Sequence, residues 1–350
     1  MDGETNNSLE DITYRALALQ FACHSVYYAK NREESLSIIK ASLERLDQQI
    51  AFSKAFIGKD CLLIVLPEYF LTGFPMGEPP SLWIEKACFQ PDGPEYEALF
   101  QIAQRHQIYL SGNVYERDTH FPNLFFQTSF LIDPSGQIVL RYRRLNSMFT
   151  PSPHDVWDRY LEIYGLDGVF PVAKTPIGNF GAIASEEILF PEIARCLAIR
   201  GAEIFLHSNS QANEIGRRVK DAAAICRAVE NVAYVISANS GGILGTPIPS
   251  SSASGGSKIV DYRGVILAET GIGESMTAFC EIDLRGLRQY RRRVGMENLL
   301  SRQRLDIYAE NYQRCVIYPK NTLLNKIPDP SHYVETQEKV IKRLVDLGII

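Results

Sequence analysis

The spacing of apolar positions changes repeatedly along this chain. Residues 32–56 place apolar side chains three and four apart, the period of a helix with one buried stripe. Residues 61–67, CLLIVLP, form a continuous apolar run closed by proline, which suits a strand covered on both faces. Strand character also marks 16–26 and 107–117, with a helical pattern at 94–106 between. Two apolar runs across 124–145 flank Asp133-Pro134-Ser135-Gly136, a turn signal between strands. The alternation continues with a strand at 179–185 and a helix at 190–201, which has Pro191 near its start and Gly201 at its end. A strand at 203–210, a helix at 217–231 and a strand at 233–240 follow. Residues 241–257 are low in complexity and read as a mobile loop. Residues 258–270 and 276–284 read as a hairpin-like pair of strands, and 334–348 as an amphipathic helix.

Strands and helices alternate without a compositional break, so the pattern predicts one α/β domain. Its expected limits are 15–325, with a flexible polar N-terminus at 1–14 and a helical extension at 326–350. The 350 residues, 45 % of them hydrophobic, suffice for a large core. A net charge of −5 with no basic stripe argues against nucleic acid as a partner. MDGETNNSLED lacks the basic start and apolar run of a signal peptide, and the long apolar run ending at Phe70 is too short to span a bilayer. Seven scattered cysteines, none in a CxxC pair, predict free thiols and a reducing, cytoplasmic setting. Residues 146–170 read as a long irregular loop whose aromatic residues, Phe149, His154, Trp157, Tyr160 and Tyr164, would line a pocket mouth. His154 and His207 are too isolated to predict a metal, and His207 reads as a satisfied core histidine.

Three segments hold candidate chemistry. In Pro67-Glu68-Tyr69-Phe70-Leu71-Thr72-Gly73 a carboxylate directly follows a buried strand, where it is costly unless paired or functional. Arg141-Tyr142-Arg143-Arg144-Leu145 ends another strand, and read alone it fits a solvated edge better than a site. Around Ser185-Glu186-Glu187-Ile188-Leu189-Phe190-Pro191-Glu192 a small-residue strand turns into a helix. That turn suits an exposed nucleophile beside backbone N–H groups, although a lone Ser there is more often a helix cap.

Together and in this order, the segments resemble the nitrilase (carbon–nitrogen hydrolase) superfamily. Its members carry Pro-Glu-x-x-x-x-Gly, then Tyr-Arg-Lys, then Cys-x-[Asp/Glu]-x-x-Phe-Pro-Glu. Here the matching positions are Pro67-Glu68…Gly73, Tyr142-Arg143-Arg144 and Ser185 through Glu192. Gln20, Asn123, Arg195, Leu197, Gly201, Arg227-Ala228-Val229-Glu230-Asn231, Asn239 and Gly256-Ser257 extend the likeness over roughly 15–305. The resemblance implies a four-layer α-β-β-α sandwich that forms homodimers or larger assemblies. It implies no cofactor, and a Glu-Lys-Cys site that hydrolyses amides, nitriles or carbamoyl groups. Mapped onto this chain, the catalytic positions are Glu68, Arg144 and Ser185, with Arg and Ser where the family has Lys and Cys. A single engineered Cys-to-Ser exchange would have left Lys at 144. The resemblance also implies a second acidic residue in the loop after the Lys position. Asp155, Asp158 and Glu162 are candidates, and Asp155, His154, Trp157 and Glu187 are the expected substrate contacts.

The two replacements change the chemistry. A thiol is partly ionised at neutral pH, whereas a serine needs a base beside it. Arginine stays charged and holds oxyanions or carboxylates in a fork, but does not readily pass protons. Three readings follow. One is an atypical hydrolase using Ser185, another a pseudoenzyme that binds a small carboxylate or amide or serves as an oligomeric scaffold. The third is a non-hydrolytic enzyme with Glu68 as base and Arg144 as clamp. The expected partners are a small amide, nitrile or carboxylate and further copies of the chain, with no metal and no membrane.

Overall fold

The computed structural model describes residues 12–211 and 214–350. Two six-stranded sheets form its centre. In the first, the strands run in the spatial order Phe279–Asp283, Thr13–Ala18, Cys61–Val65, Tyr109–Arg117, Phe125–Ile132 and Ile138–Arg143. In the second, the order is Ile266–Glu269, Lys258–Val260, Tyr234–Asn239, Ile204–Asn209, Gly178–Ala184 and Ala173–Thr175. The three strands that begin at Thr13, Cys61 and Tyr109 are mutually parallel, as are those that begin at Gly178, Ile204 and Tyr234. The strands on either side pair antiparallel.

Alternation along each strand makes the layers. Ala16, Ala18, Leu63 and Val65 belong to the core between the sheets, where the Tyr109 and Phe180 rings lie 6.2 Å apart. Leu17, Ile64, Leu66 and Leu110 face the other way and bury Leu43, Leu46 and Ile50 of the helix Arg32–Ile57, with Leu99 and Ile102 of the helix Pro94–His106. Each such side chain contributes about 1.5–3 kcal/mol on burial. Asn31 caps the first of these helices by accepting from the Glu34 N–H, and Gly58 ends it at φ +131°. On the outer face of the second sheet lie the helices Pro191–Ile199 and Glu214–Asn231, through Leu197, Ala224 and Ala228. The result is the α-β-β-α sandwich that the resemblance implied.

The described residues change several sequence expectations. Residues 1–11 of the expected flexible N-terminus lie outside the described residues, but Thr13 and Tyr14 already pair with the first sheet, and Tyr14 is buried. The stretch 146–170 is not irregular, since it contains a helix at Trp157–Tyr164. The stretch 241–257 is anchored at its C-terminal end, while most of 244–252 is exposed. Ser257 is fully buried, and its N–H and hydroxyl both donate to Gln20 Oε1 at 2.8 Å. The expected pairing of 258–270 with 276–284 is replaced by two others. Lys258–Val260 pairs with Ile266–Glu269, while Phe279–Asp283 crosses to the first sheet. Helices at Pro80–Ala87, Leu284–Arg292 and Leu305–Gln313 were not anticipated, and the C-terminal helix spans Pro330–Asp346. All seven cysteines are free. No described helix is long and apolar enough to cross a membrane.

Candidate active site

Both parallel triplets point their carboxyl ends to one place, where side chains from the two sheets can meet. Ser208 Oγ donates to the Leu66 carbonyl at 2.8 Å and the Glu68 N–H to the Asn209 carbonyl at 3.3 Å, which ties the two sheet ends together. Ser185 immediately follows the strand Gly178–Ala184 at φ +53°, in the left-handed region that side-chain-bearing residues avoid. That conformation costs roughly 1–2 kcal/mol and turns the side chain out at the strand end.

Two buried groups hold the turn. His207 Nε2 lies 2.8 Å from the Ser185 carbonyl and Nδ1 2.8 Å from Ser237 Oγ. Burial pushes the imidazole pKa down to about 3, so the ring is neutral. A carbonyl only accepts, so the single ring proton is on Nε2, and Nδ1 accepts from Ser237. Glu187, fully buried, accepts from Tyr142 Oη at 2.7 Å and from the Leu145 and Asn146 N–H groups at 2.7 and 2.8 Å. These bonds clamp the strand end that carries Arg144 to the turn that carries Ser185. Burial raises the Glu187 pKa to about 7, against the pull of Arg144 and of its hydrogen bonds.

Arg144 is buried, and its guanidinium is occupied on every side. Nε donates to the Asn146 carbonyl at 2.7 Å and Nη1 to Gln127 Oε1 at 2.8 Å and Glu68 Oε1 at 3.4 Å, while Nη2 pairs with Glu186. Burial opposes its charge, but Glu68, Glu187 and Glu186 more than offset this, and the proton is held more tightly than usual. Gln127 Nε2 completes the triangle by donating to Glu68 Oε1 at 2.6 Å.

A fourth polar side chain was not anticipated. Lys220, on the helix Glu214–Asn231, donates from Nζ to Asn209 Oδ1 at 2.7 Å and lies 3.3 Å from Ser185 Oγ. It is only 7 % exposed. Burial lowers its pKa. Glu68 and Glu186 resist that shift, and Arg144 adds to it. The sequence held only a weak signal, the helical spacing that puts Lys220 in line with Ala224 and Ala228. Lys220 shares a helical face with Ala224, Arg227, Ala228 and Asn231, all buried, where a solvated lysine does not belong.

Glu68, Arg144, Ser185, Glu186 and Lys220 line a cavity of about 600 Å³. Its apolar walls come from Tyr69, Phe74, Met76, Tyr115, Phe149 and Tyr333. Of the expected aromatic rim only Phe149 is there. Asp155, His154 and Trp157 do not line this cavity, because residues 153–164 fold against the C-terminal part of the chain. Asp155 accepts from Ser152 Oγ at 2.9 Å and from Thr322 Oγ1 at 2.7 Å, while the His154 ring packs on Trp157 and Tyr318. Tyr160 packs on Phe121 and Phe126 in a separate small core. Glu187 lies behind the wall, with its oxygens engaged as described. No group of three or more His, Cys, Asp or Glu among the described residues is placed to hold a metal ion.

Comparison with known proteins gives the family and the fold. The sequence profile of the carbon–nitrogen hydrolase family matches residues 18–292. A formamidase of Pseudomonas syringae pv. syringae is 29 % identical over 239 residues, covering 67 % of this chain and 64 % of the relative. The nitrilase and fragile histidine triad fusion protein NitFhit of Caenorhabditis elegans is 27 % identical over 256 residues, 72 % of this chain and 55 % of the relative. The chain thus spans less than two thirds of either relative. Among solved structures, Saccharomyces cerevisiae Nit3, a member of branch 10 of the nitrilase superfamily, superimposes with a TM-score of 0.64 at 22 % identity over 83 % of this chain and 97 % of that one.

Proposed function

Because the chain belongs to the carbon–nitrogen hydrolase family of the nitrilase superfamily, we propose that it hydrolyses the C–N bond of a small amide, with Ser185 as the attacking group. The observation that carries this reading is the convergence of Glu68, Arg144 and a conformationally strained Ser185 on one cavity. In this reading Ser185 Oγ adds to the amide carbonyl. Arg144 supplies fixed positive charge where the carbonyl oxygen gains negative charge, and preorganised charge of this kind usually accelerates acyl transfer more than any other single effect. Glu68 Oε1 is held by Gln127 and Arg144, which leaves Oε2 to receive the N–H of the substrate. The cavity walls favour a short, largely apolar acyl group. The formamidase among the relatives supports a small amide as substrate.

A second reading, binding without turnover, is supported by the replacement of the family's thiol and amine at 185 and 144. Ammonia release over a panel of small amides, nitriles and carbamoyl amino acids separates the two. The hydrolase reading expects release from at least one amide that vanishes in Ser185→Ala. Release that persists unchanged in that variant would overturn Ser185 as the attacking group, whereas none from any compound while a small carboxylate or amide raises the melting temperature would favour binding alone.

A further inference from the structure

The three motifs leave one chemical problem open. A serine hydroxyl attacks an amide only if a base takes its proton as the bond forms. Arg144 does not serve, since its proton is held more tightly than in a free guanidinium. Glu68 directs Oε1 at Gln127 and Arg144. Among the described residues the side chain that meets Ser185 Oγ is Lys220, at 3.3 Å.

We propose that Lys220, which lies outside all three motifs, is the base that takes the Ser185 hydroxyl proton, so that the site works as a serine–lysine pair. The inference rests on the hydrolase reading above and names the group that makes it chemically possible. Four observations support it. Among the described residues the hydrogen-bond partners of Lys220 Nζ are both uncharged, the Asn209 amide oxygen and the Ser185 hydroxyl, and no described carboxylate lies at hydrogen-bond distance to fix it as an ammonium. Lys220 is buried on a helix that packs against the Ser185 turn and is not a mobile surface residue. The groups around it are of mixed sign, with Glu68 and Glu186 favouring the charged form, Arg144 opposing it and burial opposing it most. Asn209 sits at the end of the strand Ile204–Asn209, where its amide oxygen orients the amine by accepting one N–H. Serine paired with lysine is also a known working arrangement on unrelated folds.

The step balances with no other reagent than water. Neutral Lys220 donates one N–H to Asn209 and accepts the Ser185 proton on its lone pair. The Oγ–C bond forms, and the carbonyl π pair moves onto oxygen beside Arg144. The new ammonium then gives its proton to the amide nitrogen as the C–N bond breaks, leaving an acyl ester on Ser185 and a free amine. Water attacks that ester, Lys220 takes the water's proton, and Ser185 leaves with it as the acid is released. Lys220 ends neutral. The resemblance to the family puts a lysine at 144, whereas here the amine comes from the helix Glu214–Asn231. The positive charge of the site is thereby divided between a fixed guanidinium and a titratable amine.

An alkyl fluorophosphonate tests this without knowledge of the natural substrate, because it phosphonylates an activated serine and is read by intact mass and peptide mapping. Full-length protein should be labelled at Ser185 and not in Ser185→Ala. The labelling rate should rise with pH and level off below the pKa of an ordinary lysine, because only the neutral amine is a base. Lys220→Met keeps the length of the side chain and should lower the rate by about a hundredfold or more. Lys220→Ala should be slow as well but recover part of its rate with added methylamine, a rescue that a merely structural role would not show. Comparable melting temperatures for the variants confirm that the fold is kept. Equal labelling of Lys220→Met and wild type would overturn the lysine's role while leaving Ser185 as nucleophile. A wild-type protein unlabelled at every pH would overturn the serine reading itself, and this inference with it.

Discussion

Arg144→Met should lower turnover by about a hundredfold to a thousandfold and destabilise the protein by about 3–5 kcal/mol. Both effects come from one arrangement. The guanidinium bonds at once to the Asn146 carbonyl, Gln127, Glu68 and Glu186, and Glu68 is 3 % exposed. Methionine fills much of the volume but leaves Glu68 as a buried carboxylate with Gln127 as its remaining side-chain hydrogen-bond partner among the described residues. Breaking a buried pair from one side costs more than the pair contributes, because the remaining charge has lost its water and its partner. Activity falls for a separate reason, the loss of the fixed positive charge beside the developing oxyanion. Arg144→Lys separates the two. It keeps a charge, yet one ammonium cannot serve partners on three sides as the planar fork does. We expect it to lose about 1–3 kcal/mol, less than methionine, while turnover stays well below wild type. Urea unfolding and ammonia release on the same three proteins check both parts. A methionine variant as stable as wild type would mean that Glu68 is not held as a charge by Arg144.

The pattern of hydrophobic and polar positions revealed most of this architecture because its signals are local. Buried parallel strands read as apolar runs, and the residues just past their ends, Glu68 and Ser185, were legible as chemistry for that reason. Arg144, past an antiparallel edge strand, was legible from the resemblance. Lys220 was missed because it follows Arg217 and Arg218 and precedes Asp221, a run that looks like a solvated helix face. Only the three-dimensional approach of that helix to the Ser185 turn gives it a role. Asp155, His154 and Trp157 were misplaced for the opposite reason. Their segment carries pocket-like residue types, but it is captured by partners more than 150 residues away, such as Thr322 with Asp155 and Asn321 with Asp158. The stretch 241–257 looked loose from its glycines and serines. Those glycines instead allow sharp turns, with Gly255 at φ +64° and Gly256 at φ +79°, that bring Ser257 under Gln20.

Glu187→Ala should be nearly as destabilising, by about 3–5 kcal/mol, though its side chain does not line the cavity. Alanine would leave the Tyr142 hydroxyl and the N–H groups of Leu145 and Asn146 without their acceptor in a fully buried place. Each such orphaned donor costs about 1–3 kcal/mol before relaxation. Glu187→Gln should be far milder, since the amide oxygen accepts from both N–H groups and the amide nitrogen donates to Tyr142 Oη. That variant also isolates a pH effect. Burial holds the Glu187 pKa at about 7, above its ordinary 4.5, so between these values the folded protein keeps a proton that the unfolded chain has released. Stability therefore falls as pH rises through that window. The contribution is complete below about pH 4.5 and lost as pH passes about 7, an effect of roughly 3 kcal/mol at 1.36 kcal/mol per unit. Glutamine does not titrate, so the stability of wild type minus that of Glu187→Gln should decline across the same range and level off above it. A difference that stays flat or rises with pH would show that the carboxylate keeps its charge in the fold, with its hydrogen-bond donors and Arg144 outweighing burial. In that case the strand end bearing Arg144 would be fastened to the Ser185 turn by a charge, and the fastening would loosen on acidification instead of tightening.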